Sequence, residues 1–139
     1  MDTSTETRLN TRWVLWVHKV NDSDWTIDSY EKICEIDSIE KFFLISYNWE
    51  KYLPKLDMGI FFLMREGVFP KWEDSRNING GCWSIRVSRS EIYNTWNELT
   101  MAMIGEYLYN KEERNDEING LSISPKKNFC VIKIWSSQC

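Results

Sequence analysis

Histidine occurs once in these 139 residues, as His18. It falls in an aromatic, β-branched run beside Trp16, where a structural role is far commoner than a catalytic one. No G-x-x-x-x-G-K-[ST] phosphate loop is present and no G-x-G-x-x-G; Gly80-Gly81 alone marks a turn. The neighbouring carboxylates Glu73 and Asp74 point apart, so no glycosidase-type pair is suggested. Four cysteines, Cys34, Cys82, Cys130 and Cys139, lack C-x-x-C spacing, which argues against a disulfide framework and a zinc site. A cluster of metal-binding carboxylates is missing too. These absences point away from an enzyme, and neither cofactor nor metal is expected. No apolar run has bilayer length, and the start Met1-Asp2-Thr3-Ser4-Thr5-Glu6 lacks the basic and apolar parts of a signal peptide. A soluble, intracellular protein is therefore expected. Basic residues are also short, 17 against 21 acidic for a net charge of −4. That excludes a protein coating long stretches of nucleic acid and leaves room for one that reads a single nucleotide in a small pocket.

What the chain does have is tryptophan, at positions 13, 16, 25, 49, 72, 83, 96 and 135. Most tryptophans are buried in cores, so their place along the chain decides their use. Residues 1–10 read as a polar, disordered arm, with a single domain over 11–139. Arg12 to His18 is strand-like, and Asn21-Asp22-Ser23-Asp24 is a loop that delivers Trp25. Asp37 with Glu40 resembles a capping box opening a helix over about 38–48. Met58–Met64 reads as a strand, Phe69–Asp74 as a loop, and Asn79-Gly80-Gly81 as a turn. Trp83, Ile85 and Val87 alternate with Cys82, Ser84 and Arg86, which predicts a strand with one buried face. Ser88 with Glu91 suggests a second capping box. Ile92, Trp96, Leu99 and Met103 then give an amphipathic helix over about 89–108. Two strands, about 119–124 and 129–135, close the chain around Pro125-Lys126-Lys127-Asn128. The fold class is α+β: an antiparallel sheet with its helices on one face and the other face free to bind.

Trp25 and Trp72 stand in polar loops rather than periodic elements. Two indoles set face to face sandwich a flat ring, and their negative π faces attract a cationic one. Glu73, beside Trp72, suits a base edge with two N–H donors, which one carboxylate accepts together. Guanine methylated at N7 is a ring of that kind.

The run Trp72-Glu73-Asp74-x-x-Asn77-x-x-Gly80-Gly81-x-Trp83 resembles the signature of the mRNA cap-binding translation initiation factor family, subunit four-E. Arg12-Trp13-x-Leu15-Trp16, Trp25, Phe42, Tyr47-Asn48, Trp96, Ile104-Gly105-Glu106, Gly120 and Ile134-Trp135 follow in the same order, so the likeness spans about residues 9–139. It implies a curved antiparallel sheet with helices on its convex face and the 7-methylguanosine cap in its concave face. By position, Trp25 and Trp72 match the sandwich, Glu73 the base-edge acceptor and Trp135 the wall against the N7-methyl group. Trp13, Trp16, Trp83 and Trp96 match structural positions. Capped mRNA is the implied partner, in the cytoplasm or the nucleus, together with a scaffold protein or repressor that docks through a short helical motif; no membrane is involved. Translation initiation is the leading role, and a cap-binding competitor or repressor that recruits no scaffold is the alternative.

Three departures qualify the likeness. Cys82 stands where the family usually has arginine, Lys126 replaces another arginine, and Asn128 and Val131 replace lysines. Lys127 and Arg86 are candidates to compensate, so Lys126, Lys127 and Arg86 are the candidate phosphate ligands. Because lysine lacks arginine's planar fork, looser phosphate binding is expected. On the convex face Ile39, Phe43, Asn97, Met101 and Gly105 mark the partner surface, with Phe43 for the usual Trp, Asn97 for a Leu and Thr7-Arg8 for a His-Pro. Finally, the sequence lacks the family's third helix and last strands, from which an uncovered convex face and sheet edge are expected.

Overall fold

A computed structural model describes residues 7–19, 29–47, 59–70, 74, 77–78, 80–105, 118–126 and 128–136. Its elements are β1 (Arg8–Lys19), β2 (Tyr30–Ser38), α1 (Ile39–Tyr47), β3 (Gly59–Arg65), β4 (Gly81–Ser88), α2 (Ile92–Ile104), β5 (Ile118–Pro125) and β6 (Phe129–Ser136). The strands form one curved sheet in the order β2-β1-β3-β5-β6-β4, and every pairing is antiparallel. The expected α+β class holds.

Strand periodicity sorts side chains between the two faces. Trp13 and Leu15 of β1, Leu63 of β3, Leu121 and Ile123 of β5 and Ile132 of β6 share one face. Phe42 from α1 and Ile92, Trp96 and Met103 from α2 close over them. Trp13 and Trp96 are fully buried, as the sequence suggested. The helix residues recur at steps of three and four because that spacing keeps one stripe on the sheet. On the opposite face, Phe62, Met64 and Val68 form a second cluster with Trp16, Tyr30, Ile60 and Trp135 packed against it.

Several expectations change. β2 was not foreseen: its outer residues 31–33 are exposed and only its far end is buried, so its alternation is faint. β1 starts at Arg8, inside the expected disordered arm. Arg8 pairs across to Ser38 and its guanidinium lies 2.8 Å from Asp37, while the Thr7 carbonyl accepts from the Ile39 N–H at 2.9 Å. The first helix is capped by Ser38, whose hydroxyl accepts from the Lys41 N–H at 3.2 Å, and not by Asp37. Asp37 instead bridges Arg8 and Lys41. Glu40 reaches back to the Thr7 N–H at 2.6 Å. The second helix begins at Ile92 rather than 89, because Arg89–Glu91 form a turn and no side chain caps the start. It closes at Gly105, and the expected extension over 106–108 lies outside the described residues.

β4 departs most. Its Trp83 was read as structural, yet it is 73% exposed, and Ile85 is 38% exposed. The strand lies at the sheet edge, and of its helix-side residues only Val87 joins the core. The alternation is real, but cover over Trp83 and Ile85 is missing among the described residues.

Candidate ligand face and the loop beside it

Of the residues expected to meet a base, Trp135 is described; Trp25, Trp72 and Glu73 lie outside the described residues, as does Lys127. Trp135 sits on β6 facing away from the helices, half-buried, with its ring edge-on to Phe62 at 6.2 Å. Its indole N–H donates to the Ser122 hydroxyl at 3.0 Å. Ser122 is buried on β5, so the indole has one fixed orientation and keeps part of its surface open. Gly120, opposite Trp135, lets β5 come close to β3: a Cβ there would lie 2.5 Å from the Leu63 carbonyl oxygen and also strike Met64.

Phe62 continues an aromatic floor. It lies 5.7 Å from Tyr30, Tyr30 5.1 Å from Phe69, and Phe69 4.9 Å from Trp16. These edge and tilted contacts suit the ring quadrupoles. Phe69 also begins the loop that carries Trp72 and Glu73. Both feet of that loop are fixed. The Asp74 carboxylate accepts from the Phe69 N–H at 2.9 Å, and the Asn77 amide donates to the Phe69 carbonyl at 3.1 Å. Asn119 at the start of β5 donates to the Asn77 side-chain oxygen at 2.9 Å, with both residues buried. The sequence motif contained Asp74 and Asn77 only as spacing; here they hold the base of the loop. Ser122, Phe62 and Asn119 were not singled out, since their roles depend on which strand lies beside which.

The two described phosphate candidates, Arg86 and Lys126, do not gather at one place. Arg86 shares the face of Trp135, four residues along the strand pair, with its guanidinium 4.2 Å from the Phe129 ring centre. Lys126 is exposed at the β5–β6 hairpin, where its backbone N–H bonds Phe129 and its carbonyl accepts from Arg89. A cation not anticipated, Lys133, lies on the same face two residues from Trp135.

On the helix side, Phe43 is 51% and Met101 46% exposed, joined by exposed Leu44 and Tyr47, while Ile39 and Gly105 are half-buried. Asn97 does not open into an apolar groove. It accepts from the Ser46 hydroxyl at 2.9 Å and so ties α2 to α1.

The family model for Eukaryotic initiation factor 4E matches residues 8–139. The chain belongs to that family. It is 33% identical over 138 residues to the eukaryotic translation initiation factor 4E of Candida glabrata, an alignment covering 94% of this chain and 63% of that protein. Eukaryotic initiation factor 4E structures share the fold. Ascaris suum eIF4E-3, solved with an m7G cap, matches at TM-score 0.82 and 27% identity over 96% of this chain and 75% of that one. C. elegans eIF4E-3, solved with the 4E-binding protein Mextli and a cap analogue, matches at TM-score 0.82 and 25% identity over 97% and 76%. The chain spans less than two thirds of the length of the curated relatives it matches.

No helix of the described residues is long and apolar enough to cross a membrane, and among those residues no group of three or more His, Cys, Asp or Glu could hold a metal ion. Cys34 and Cys82 are free thiols. Burial, helped by Glu35, pushes the Cys34 thiol up to about 11, which keeps it protonated and unreactive at neutral pH.

Proposed function

We propose that this protein binds the 7-methylguanosine cap of mRNA and takes part in translation initiation in the cytoplasm, as a binding protein rather than an enzyme. The observation that carries the reading is Trp135: a half-open indole, locked by Ser122 and Phe62, on the sheet face away from the helices. Phe69, in the same aromatic series as Phe62, is bonded by Asp74 and Asn77, and the sequence between Phe69 and Asp74 holds Trp72 and Glu73. In the proposed complex Trp25 and Trp72 stack on the two faces of the methylated base. A positive ring between indoles gains from both π faces. Glu73 accepts the two base-edge N–H groups, and Trp135 lies against the methyl group. Family membership and the cap bound to the Ascaris suum relative support this reading.

The helix face supplies the second half of the role. Phe43, Leu44, Tyr47 and Met101 expose apolar surface on two helices held together through Ser46 and Asn97. Such a surface suits the apolar stripe of a short helix. A partner of the kind seen with the C. elegans relative is the expected occupant.

Tryptophan fluorescence during titration with 7-methylguanosine triphosphate, with GTP as control, tests the cap reading. Quenching by the methylated ligand alone is expected, and Trp72→Ala and Glu73→Gln should each abolish most of it. Equal responses to both nucleotides, or none from a folded sample, would overturn it.

A further inference from the structure

The face that holds Trp135 continues across β6, β4 and β5 as a strip where cations and hydroxyl groups stand among Cys82, Val131 and Phe129. Its side chains are Lys133 and Val131 from β6, Ser84 and Arg86 from β4, and Ser122 and Ser124 from β5. Lys133 sits between Ser84 on one side and Ser122 on the other. No acidic residue occupies this face of the three strands, in a chain whose net charge is −4. Among the described residues no carboxylate pairs with Lys133 or Arg86. An uncompensated cation row among hydroxyl groups, half-exposed and ending on an open indole, is built to receive an anion.

Strand geometry ranks the cations by reach. Two residues separate Lys133 from Trp135, a rise of about 7 Å. Arg86, paired with Val131, stands about 13 Å along, and the level of Lys126, paired with Phe129, is about 20 Å away. A phosphate chain that leaves a base held at Trp135 therefore meets Lys133 first and Arg86 second. Lys126 comes last, although its place in the sequence first suggested it.

We infer that Lys133 is the principal phosphate ligand of this chain, with Ser84 and Ser124 as hydroxyl donors and Arg86 as the outer cation. The inference rests on the cap reading and names the residue that fixes how the nucleotide's phosphates are held. Lysine brings a point charge that tolerates several phosphate positions, where arginine's fork would fix one.

The test compares 7-methylguanosine with its mono- and triphosphate, by fluorescence titration of the full chain as wild type, Lys133→Ala, Lys133→Arg and Lys126→Ala, with circular dichroism confirming each fold. The affinity gained on adding phosphates should fall roughly tenfold in Lys133→Ala, the weight of one charged hydrogen bond. It should be kept in Lys133→Arg and change less than twofold in Lys126→Ala. Affinity for the nucleoside should be equal in all four. The slope of log affinity against log salt should drop by about one in Lys133→Ala. An unchanged phosphate gain in Lys133→Ala, or a gain lost only in Lys126→Ala, overturns this inference and leaves the cap reading standing. Wild-type protein that binds none of the methylated ligands overturns both.

Discussion

The sheet face that points away from the helices is divided in two. Over β1–β3 it is an aromatic floor of Trp16, Tyr30, Phe62 and Phe69, with every ring set against the next. Over β4–β6 it is small and polar, with Ser84, Ser122 and Ser124 around Lys133 and Arg86. Trp135 stands at the border, packed on Phe62 from one half and bonded to Ser122 from the other. The same two-residue alternation builds both halves, so the difference comes from what each position must do. The floor is fixed by packing and gives rigidity. The strip is left open and presents its charge to solvent.

The largest effect is expected from breaking the floor. Phe62→Ala should cost about 3–5 kcal/mol, the usual range for a buried phenylalanine, read as a shift in the denaturation midpoint. Because Tyr30 and Trp135 both lean on that ring, the near-ultraviolet spectrum should change as well. A loss under about 1 kcal/mol would mean the floor is not a packed unit.

Next comes the fastening of the loop. Asn77→Ala leaves the buried Asn119 amide without that acceptor, at about 1–3 kcal/mol, and cap affinity should fall further than stability alone explains. Equal losses in both would reduce Asn77 to a core residue. Smaller again is Ser122→Ala, which frees the Trp135 indole N–H for about 1 kcal/mol and should blur the ligand-induced quenching without unfolding the chain.

Acid tests the region outside both halves, where β1 is strapped to α1. The carboxyl of Asp37 is held below its usual range first by the hydrogen bond from Lys41, and that of Glu40 by the Thr7 N–H. Lowered folded-state values mean the stabilisation is present above the ordinary carboxylate range and fades as pH falls through the lowered values. Glu40 is exposed and Asp37 half-buried among surface cations, so the effect should be small. Asp37→Asn should flatten the acid limb of the stability curve slightly; an unchanged limb would show that the strap adds nothing.

Much of this was legible in the sequence. β1, β3, β5, β6 and both helices follow from apolar runs or helical spacing, although β3 and β5 are buried on both faces and α1 buries only Phe42. β2 hid because its outer residues meet water and leave only Ile36 as a buried apolar side chain. Trp83 shows the limit from the other direction: alternation assigns a side chain to a face but does not say whether anything lies over it. Of the site, the motif marked Trp135 and the loop, while Trp25, Trp72, Glu73 and Lys127 fall outside the described residues. Lys133 was missed because family positions drew attention to Lys126. Alternation along the predicted strand already puts residue 133 on the face of Trp135; what register adds is the pair of serines, Ser84 and Ser122, on either side of it.

The buried pair of Asn77 and Asn119 has a consequence in time as well as in energy. With Phe69 and Asp74 already joined, closing the loop's span belongs to folding and not to each encounter with ligand. The entropy of bringing those two ends together is then no part of the binding free energy. Ligands that differ in their grip on the face should arrive at similar rates and differ chiefly in how long they stay.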